Sequence, residues 1–250
     1  RWGRMAVVDG KRVEAAVRKA TGREIETRVL SAEAQRLVDA AGVEGETRRL
    51  LEVRVPELIE YQSVSYARQY TDFVAKVARA EAERVPGRTG LSEAVARNLF
   101  KLMAYKDEYE VARLHLDPAL RTEIEATFGQ AITSQWHLHP PLLRALGLKK
   151  KVKLGSWFAP ALRLLRAMKG LRGTALDPFG RAEVRRVERA LPGEYRAMIE
   201  TVLTTLGPAT HDTAVAIGEL PDQIRGYEAI KLDTVKLFRD TARQLLATLN

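Results

Sequence analysis

Cysteine is absent from all 250 residues. That excludes disulfides, thiolate nucleophiles, cysteine-ligated iron–sulfur clusters and cysteine-rich zinc sites in one step. Aromatic residues are scarce, at 6%, which argues against the base-stacking platforms of nucleic-acid modules. No apolar run is long enough to span a bilayer, so no membrane span is expected. No charged segment followed by an apolar one opens the chain, so no secretory signal is read there, and a cytoplasmic location is expected. The sequence holds no P-loop, no GxGxxG after a strand, no nucleophile elbow and no Ser/His/Asp arrangement. No fixed-period repeat and no low-complexity tail is visible.

What is present is a chain with a core. Hydrophobic residues make up 46% and charged residues 29%, enough to bury one large domain or two small ones and stay soluble. The net charge of +9 is concentrated: Pro141 to Ala190 carry 13 Lys and Arg against 3 Asp and Glu, leaving the remainder nearly neutral. A basic field of this kind concerns partners rather than fold.

Helical periodicity dominates. Short helices are expected at Val13–Ala20 and Ser31–Ala41, the second capped by Ser31 and closed by Gly42. Thr47–Val55 reads as helical. Pro56 suits a first helical position, so a separate long helix is expected over Pro56–Arg84. VPGRTG (Val85–Gly90) is a break. Ser92 then caps a helix running to about His115, and a short one is expected from Asp117 to Phe128. The least regular stretch is 129–157; a short strand or hairpin fits near 147–158. Helices follow at Pro160–Met168, 181–191, 192–206 (opened by Pro192), 211–218 and from about Ile224 to the end. The expectation is an all-α, irregular multi-helix bundle over 46–250, preceded by an arm or connector over 1–45.

The stretch NLFKLMAYKDEYEVARLH (98–115) carries charges in an odd place. On a helical wheel advancing about 100° per residue, Val95, Leu99, Leu102 and Met103 share one apolar arc. Lys106, Asp107, Glu110 and Arg113 fall inside that same arc. Lys106–Glu110 and Glu110–Arg113 are spaced to pair. Three readings are open: ordinary surface pairs, an internal ion network that fixes helix register or docking, or a catalytic or cofactor site.

Other candidates are weaker. His137 and His139 share a strand face only if a strand forms there, and a hydrogen-bonded pair is favoured over a metal site. GLRGTALDPFG (170–180) supplies tight turns, or with Lys169 and Arg172 an anion site. The run Lys149, Lys150, Lys151 and Lys153 is a second candidate for anions. Nucleic-acid binding is disfavoured for want of interleaved aromatics.

Four stretches in order carry a resemblance: EAVARNLFKLMAYKDEYEVARL (93–114), HLHPPLL (137–143), LLRAMKGLRGTALDPFGR (164–181) and LPDQIRGYEAIKLDTV (220–235). Together they resemble the C-terminal domain of the long, fused indolepyruvate ferredoxin oxidoreductases. The resemblance covers about residues 50–250; 9–45 match loosely, RWGR resembles the last residues of that family's γ domain, and the sequence departs from the family motif at His139. It implies a parent enzyme that oxidatively decarboxylates aryl-pyruvates to aryl-acetyl-CoA with thiamine diphosphate, CoA, iron–sulfur clusters and ferredoxin. It implies neighbouring thiamine-binding and γ domains as partners, and it would account for a start without methionine as a cut after the γ fold. No cofactor and no catalytic residue is expected in this chain. The alternative is a stand-alone helical protein that binds an anionic ligand or nucleic acid.

Overall fold

The computed structural model describes residues 29–118, 122, 126, 127, 136–138 and 152–249. The compact helical unit starts at Ala32, not at 46. Its first helix, α1 (Ala32–Ala40), buries Ala34, Leu37 and Val38 and packs on the helices that follow, so this segment is part of the bundle and not of an arm. The expected helix at 13–20 lies outside the described residues.

Nine α-helices form among the described residues: α1, α2 (Gly45–Tyr61), α3 (Val64–Arg84), α4 (Gly90–Met103), α5 (Glu108–His115), α6 (Ala159–Ala167), α7 (Glu183–Thr204), α8 (His211–Glu219) and α9 (Glu228–Ala247). The all-α expectation holds. The only described strand pair has three residues per strand: β1 (Trp136–Leu138) lies antiparallel to β2 (Val152–Leu154), with His137 opposite Lys153. One strand falls inside the expected hairpin region of 147–158; its partner lies upstream. The segment expected to be helical over 117–128 is largely outside the described residues.

Helix α4 is the centre, flanked by α2, α3, α7 and α8. It buries Leu91, Ala94, Val95, Ala96, Leu99, Leu102 and Met103 on a broad apolar face and keeps Glu93, Arg97 and Lys101, four residues apart, on a polar stripe. Gly218 on α8 permits the close approach: a Cβ there would lie 3.2 Å from the Ala94 Cβ.

Two prolines overturn the expected boundaries. Pro56 lies inside α2 and Pro192 inside α7. An interior proline costs about 3 kcal/mol. Each helix buries large side chains on both sides of it: Val55, Leu58 and Tyr61 around Pro56, Leu191 and Tyr195 around Pro192. At about 1.5–3 kcal/mol for each large side chain, burial outweighs the lost hydrogen bond. The break between α2 and α3 comes instead at Gln62–Ser63, where the Ser63 hydroxyl accepts the Tyr66 N–H at 3.2 Å.

Ser92 is not the cap of α4. The helix begins at Gly90, and its free N–H groups are taken by a carboxylate from α3. Glu81 accepts Leu91 N–H at 2.7 Å and Ser92 N–H at 2.8 Å, while His211 Nε2 of α8 lies 2.6 Å from Glu81 Oε1. Glu81 and His211 are each 1% exposed. A buried carboxylate at a helix N-terminus is stabilised by the helix dipole and by these donors. It ties three helices together.

Candidate functional site

The expected helix from Ser92 to His115 is two helices. The chain leaves helical geometry at Ala104–Lys106, and Asp107 starts α5 by accepting the Glu110 N–H at 2.9 Å. The wheel that puts four charges on one arc therefore does not hold past Met103. Three of the four are nevertheless buried: Asp107, Glu110 and Arg113 are 2%, 7% and 9% exposed. Lys106 is exposed; it sits in the break, and its carbonyl accepts from Arg185 at 3.4 Å. The expected Lys106–Glu110 pair does not form.

The buried charges split into two clusters. In the first, Arg113 pairs bidentately with Glu110 at 2.9 and 2.7 Å, and reaches Glu60 at 2.8 Å and Glu57 at 3.2 Å on α2. Its hydrogen bonds to Glu110 hold the guanidinium pKa above the usual arginine range despite burial. The i,i+3 spacing makes Glu110–Arg113 local; only the fold brings α2 to it.

The second cluster has no signal in local spacing. Asp107 faces Arg172, whose Nε and Nη2 donate to its two carboxylate oxygens at 2.5 and 2.9 Å. Arg172 Nη1 donates to the Tyr61 carbonyl at 2.6 Å and to Gln62 Oε1 at 2.7 Å, and the guanidinium lies 3.7 Å over the Tyr61 ring. Burial opposes the Arg172 charge, but the Asp107 carboxylate and neighbouring tyrosines outweigh it and its pKa is raised. The sequence makes Arg172 a candidate for an incoming anion. Its donors instead go to the end of α2 and the start of α5. Lys169 is likewise engaged, donating to the Glu60 carbonyl at 2.7 Å; burial lowers its pKa, and the Arg166 charge adds to this.

The glycine-rich loop is the bracket that delivers Arg172. Asp177, 6% exposed, accepts Gly173 N–H and Phe179 N–H at 3.1 Å each and the Tyr109 hydroxyl at 3.1 Å. Phe179 packs edge-on against Tyr109. Gly173 adopts φ +79°, and a Cβ at Gly180 would meet the Arg189 guanidinium and Asp177. Close by, Arg185 joins Glu108 at 3.0 Å and Glu188 at 2.6 Å, and Lys231 of α9 closes on Glu188. Of the basic stretch, Arg172, Arg185 and Arg189 are thus internal counterions, while Arg163, Arg166, Arg181 and Arg186 remain exposed. Lys149, Lys150, Lys151 and His139 lie outside the described residues; Lys153 and His137 are placed only by their backbones. Among the described residues no group of three or more His, Asp or Glu is placed to hold a metal ion.

This arrangement can clamp helices; its carboxylates are engaged by cations and backbone donors, and a small pocket of about 60 Å3, lined by Glu188 and Lys231 with Lys101 and Tyr105, adjoins it. Sequence reasoning missed Glu81–His211 and Asp107–Arg172 because their members are far apart in the chain. The larger open space lies elsewhere. A cleft of about 960 Å3 runs along α4, bounded by Arg54 and Phe100 on one side and by Thr241 and Leu245 of α9 on another. On and just before α9, Tyr227, Ile230 and Leu237 stand 76%, 65% and 57% exposed. Gly226 permits this start: it has φ +89°, and a Cβ would come within 2.6 Å of Ile230 Cγ2.

Among the described residues, no helix is long and apolar enough to cross a membrane. No curated protein and no solved structure matches the chain. Residues 47–244, the clamp, the bracket loop and most of α9 included, match one family, and the chain belongs to it: the family of unknown function DUF6537.

Proposed function

We propose that this chain is a non-catalytic helical domain of an indolepyruvate (2-oxoacid):ferredoxin oxidoreductase, acting in assembly and docking. The observation that carries the reading is the exposed apolar edge on α9. Tyr227 and Ile230 belong to LPDQIRGYEAIKLDTV, one of the stretches that bear the resemblance, and Leu237 extends the exposed apolar surface. An exposed apolar stripe beside charged residues marks an interaction surface. The buried charges support the reading too, since they hold helices together. The parent enzyme supplies thiamine diphosphate, iron–sulfur clusters and CoA, acts in the cytoplasm on aryl-pyruvates, and offers its thiamine-binding and γ domains as partners. Lys149, Lys150, Lys151 and Lys153, with exposed Arg163 and Arg166, supply a positive field for an acidic ferredoxin or for CoA phosphates.

The first test is the intact mass of the native gene product, with iron and thiamine measured on the same sample. A polypeptide several times longer that holds both is the expected result. A chain of this length with neither overturns the reading in favour of a stand-alone binding protein. Reversing Lys149–Lys151 and Lys153 should then slow ferredoxin association and flatten its salt dependence; an unaltered rate removes the ferredoxin contact.

A further inference from the structure

Among the described residues, Arg54 is a cation without a counterion. The other bases around the α4 cleft are neutralised: Lys101 pairs with Asp222 at 3.1 Å, and Arg97 lies 3.5 Å from Glu93 and 4.0 Å from Glu219. The half-buried Arg54 has no carboxylate partner among the described residues. Its Nε is buried with no hydrogen-bond partner there, and its guanidinium lies 4.4 Å over the Phe100 ring. Stacking on an aromatic face fixes a guanidinium but leaves its in-plane donors unused. The Nε is closed off from the cleft, but no described residue accepts from the terminal Nη nitrogens either, and these are the donors a ligand would meet.

The surroundings define what would meet them. Arg54 lines an open cleft of about 960 Å3, within the upper range of small-molecule sites. The α2 and α4 side is cationic, with Phe100 beside Arg54. The facing side mixes Ala216, Leu220 and Leu245 with Glu219, Asp222, Gln223 and Thr241, and its two carboxylates lie against Arg97 and Lys101. Asn98 lines the cleft too: its Nδ2 donates one N–H to the Ala94 carbonyl at 3.0 Å and carries a second N–H. The charges decide the valency. With Arg97 and Lys101 already balanced, a single positive charge remains among the described lining residues, which suits a monoanion better than a dianionic phosphate. A planar carboxylate also matches the guanidinium fork.

We propose that this cleft binds a small amphiphilic carboxylate, with Arg54 holding the head group and Ala216, Leu220 and Leu245 meeting the apolar tail. The inference is independent of the assembly reading; it uses none of Tyr227, Ile230 or Leu237.

The test is calorimetric titration of the full chain with decanoate below its micelle concentration, and separately with inorganic phosphate. Saturable decanoate binding is expected, weakened at least ten-fold by Arg54→Met and unchanged by Lys236→Met on the exposed face of α9. Thr241→Trp, which fills the cleft from the opposite wall with Arg54 intact, should abolish binding as well, and it keeps the test sound if Arg54→Met does not fold. No saturable decanoate binding, or equal binding by the folded Arg54→Met and Thr241→Trp variants and the parent chain, overturns the proposal. Phosphate binding without decanoate binding also overturns it, because Ala216, Leu220 and Leu245 would then have no role. Complex yield with partner domains should be the same for Thr241→Trp and the parent chain, which separates this site from the assembly surface.

Discussion

Replacing Arg172 by Met should unlock the clamp. The Arg172 and Asp107 side chains are 6% and 3% exposed, so neither charge is solvated when its partner is gone. Asp107 would keep one donor, Glu110 N–H at 2.9 Å, and lose two charge-assisted bonds. The Tyr61 carbonyl and Gln62 Oε1 would lose theirs as well. Breaking one side of a buried pair costs about 3–5 kcal/mol. For a unit of this size each kcal/mol moves Tm by about 2–4 °C, so a fall of about 6–20 °C is expected. Asp107→Asn keeps a good N-cap for α5 but strands the guanidinium, and should cost a similar amount. The two losses should not add: the double variant Asp107→Asn/Arg172→Met should fall short of the sum by about 1–3 kcal/mol. Urea unfolding followed by circular dichroism in the far ultraviolet measures all three. Single-variant losses below about 1 kcal/mol, or strict additivity, would refute the idea that this pair sets the α4–α5 junction.

Glu110→Ala should cost less, about 1–2 kcal/mol, because Arg113 retains the partly exposed Glu57 and Glu60; a loss equal to that of Arg172→Met in the same urea assay would contradict the two-cluster description. Pro192→Ala should stabilise the chain by about 1–3 kcal/mol, since it restores a helical N–H inside α7 without removing much buried surface; a lower Tm would show that the proline fits a local distortion. Burial raises the pKa of Tyr61, Tyr66, Tyr70, Tyr105, Tyr109 and Tyr195, Tyr66 to about 12. In this window the folded state holds more protons than the unfolded one, so stability is fully present below about pH 10 and falls as pH rises through 10 towards 12. Tyrosine ionisation, followed by its ultraviolet absorbance, should coincide with loss of helical signal; ionisation of these tyrosines with helix intact would run against it.

Several of these features are legible from local spacing. The α1 boundaries follow from Ser31 and Gly42, the Glu110–Arg113 pair from its three-residue step, and the all-α class from recurrent apolar residues. The wheel points to burial of Asp107, Glu110 and Arg113 for a partly mistaken reason, since the single helix it assumes is broken at 104–106. Lys106 shows the failure: a wheel carries a residue on to the apolar face only while the helix continues.

What the amino-acid order determined by itself is where chain segments want to be helical and which faces are apolar, because propensity and periodicity act over a few residues. The tertiary structure decided where helices end and which charges meet. Glu81 caps α4 from another helix, with His211 130 positions away closing on it; Arg172 reaches Asp107 across 65 positions. Pro56 and Pro192 remain within helices because apolar burial on either side outweighs a missing N–H. Those outcomes depend on three-dimensional neighbours, and short-range pattern carries no information about which distant side chain will arrive.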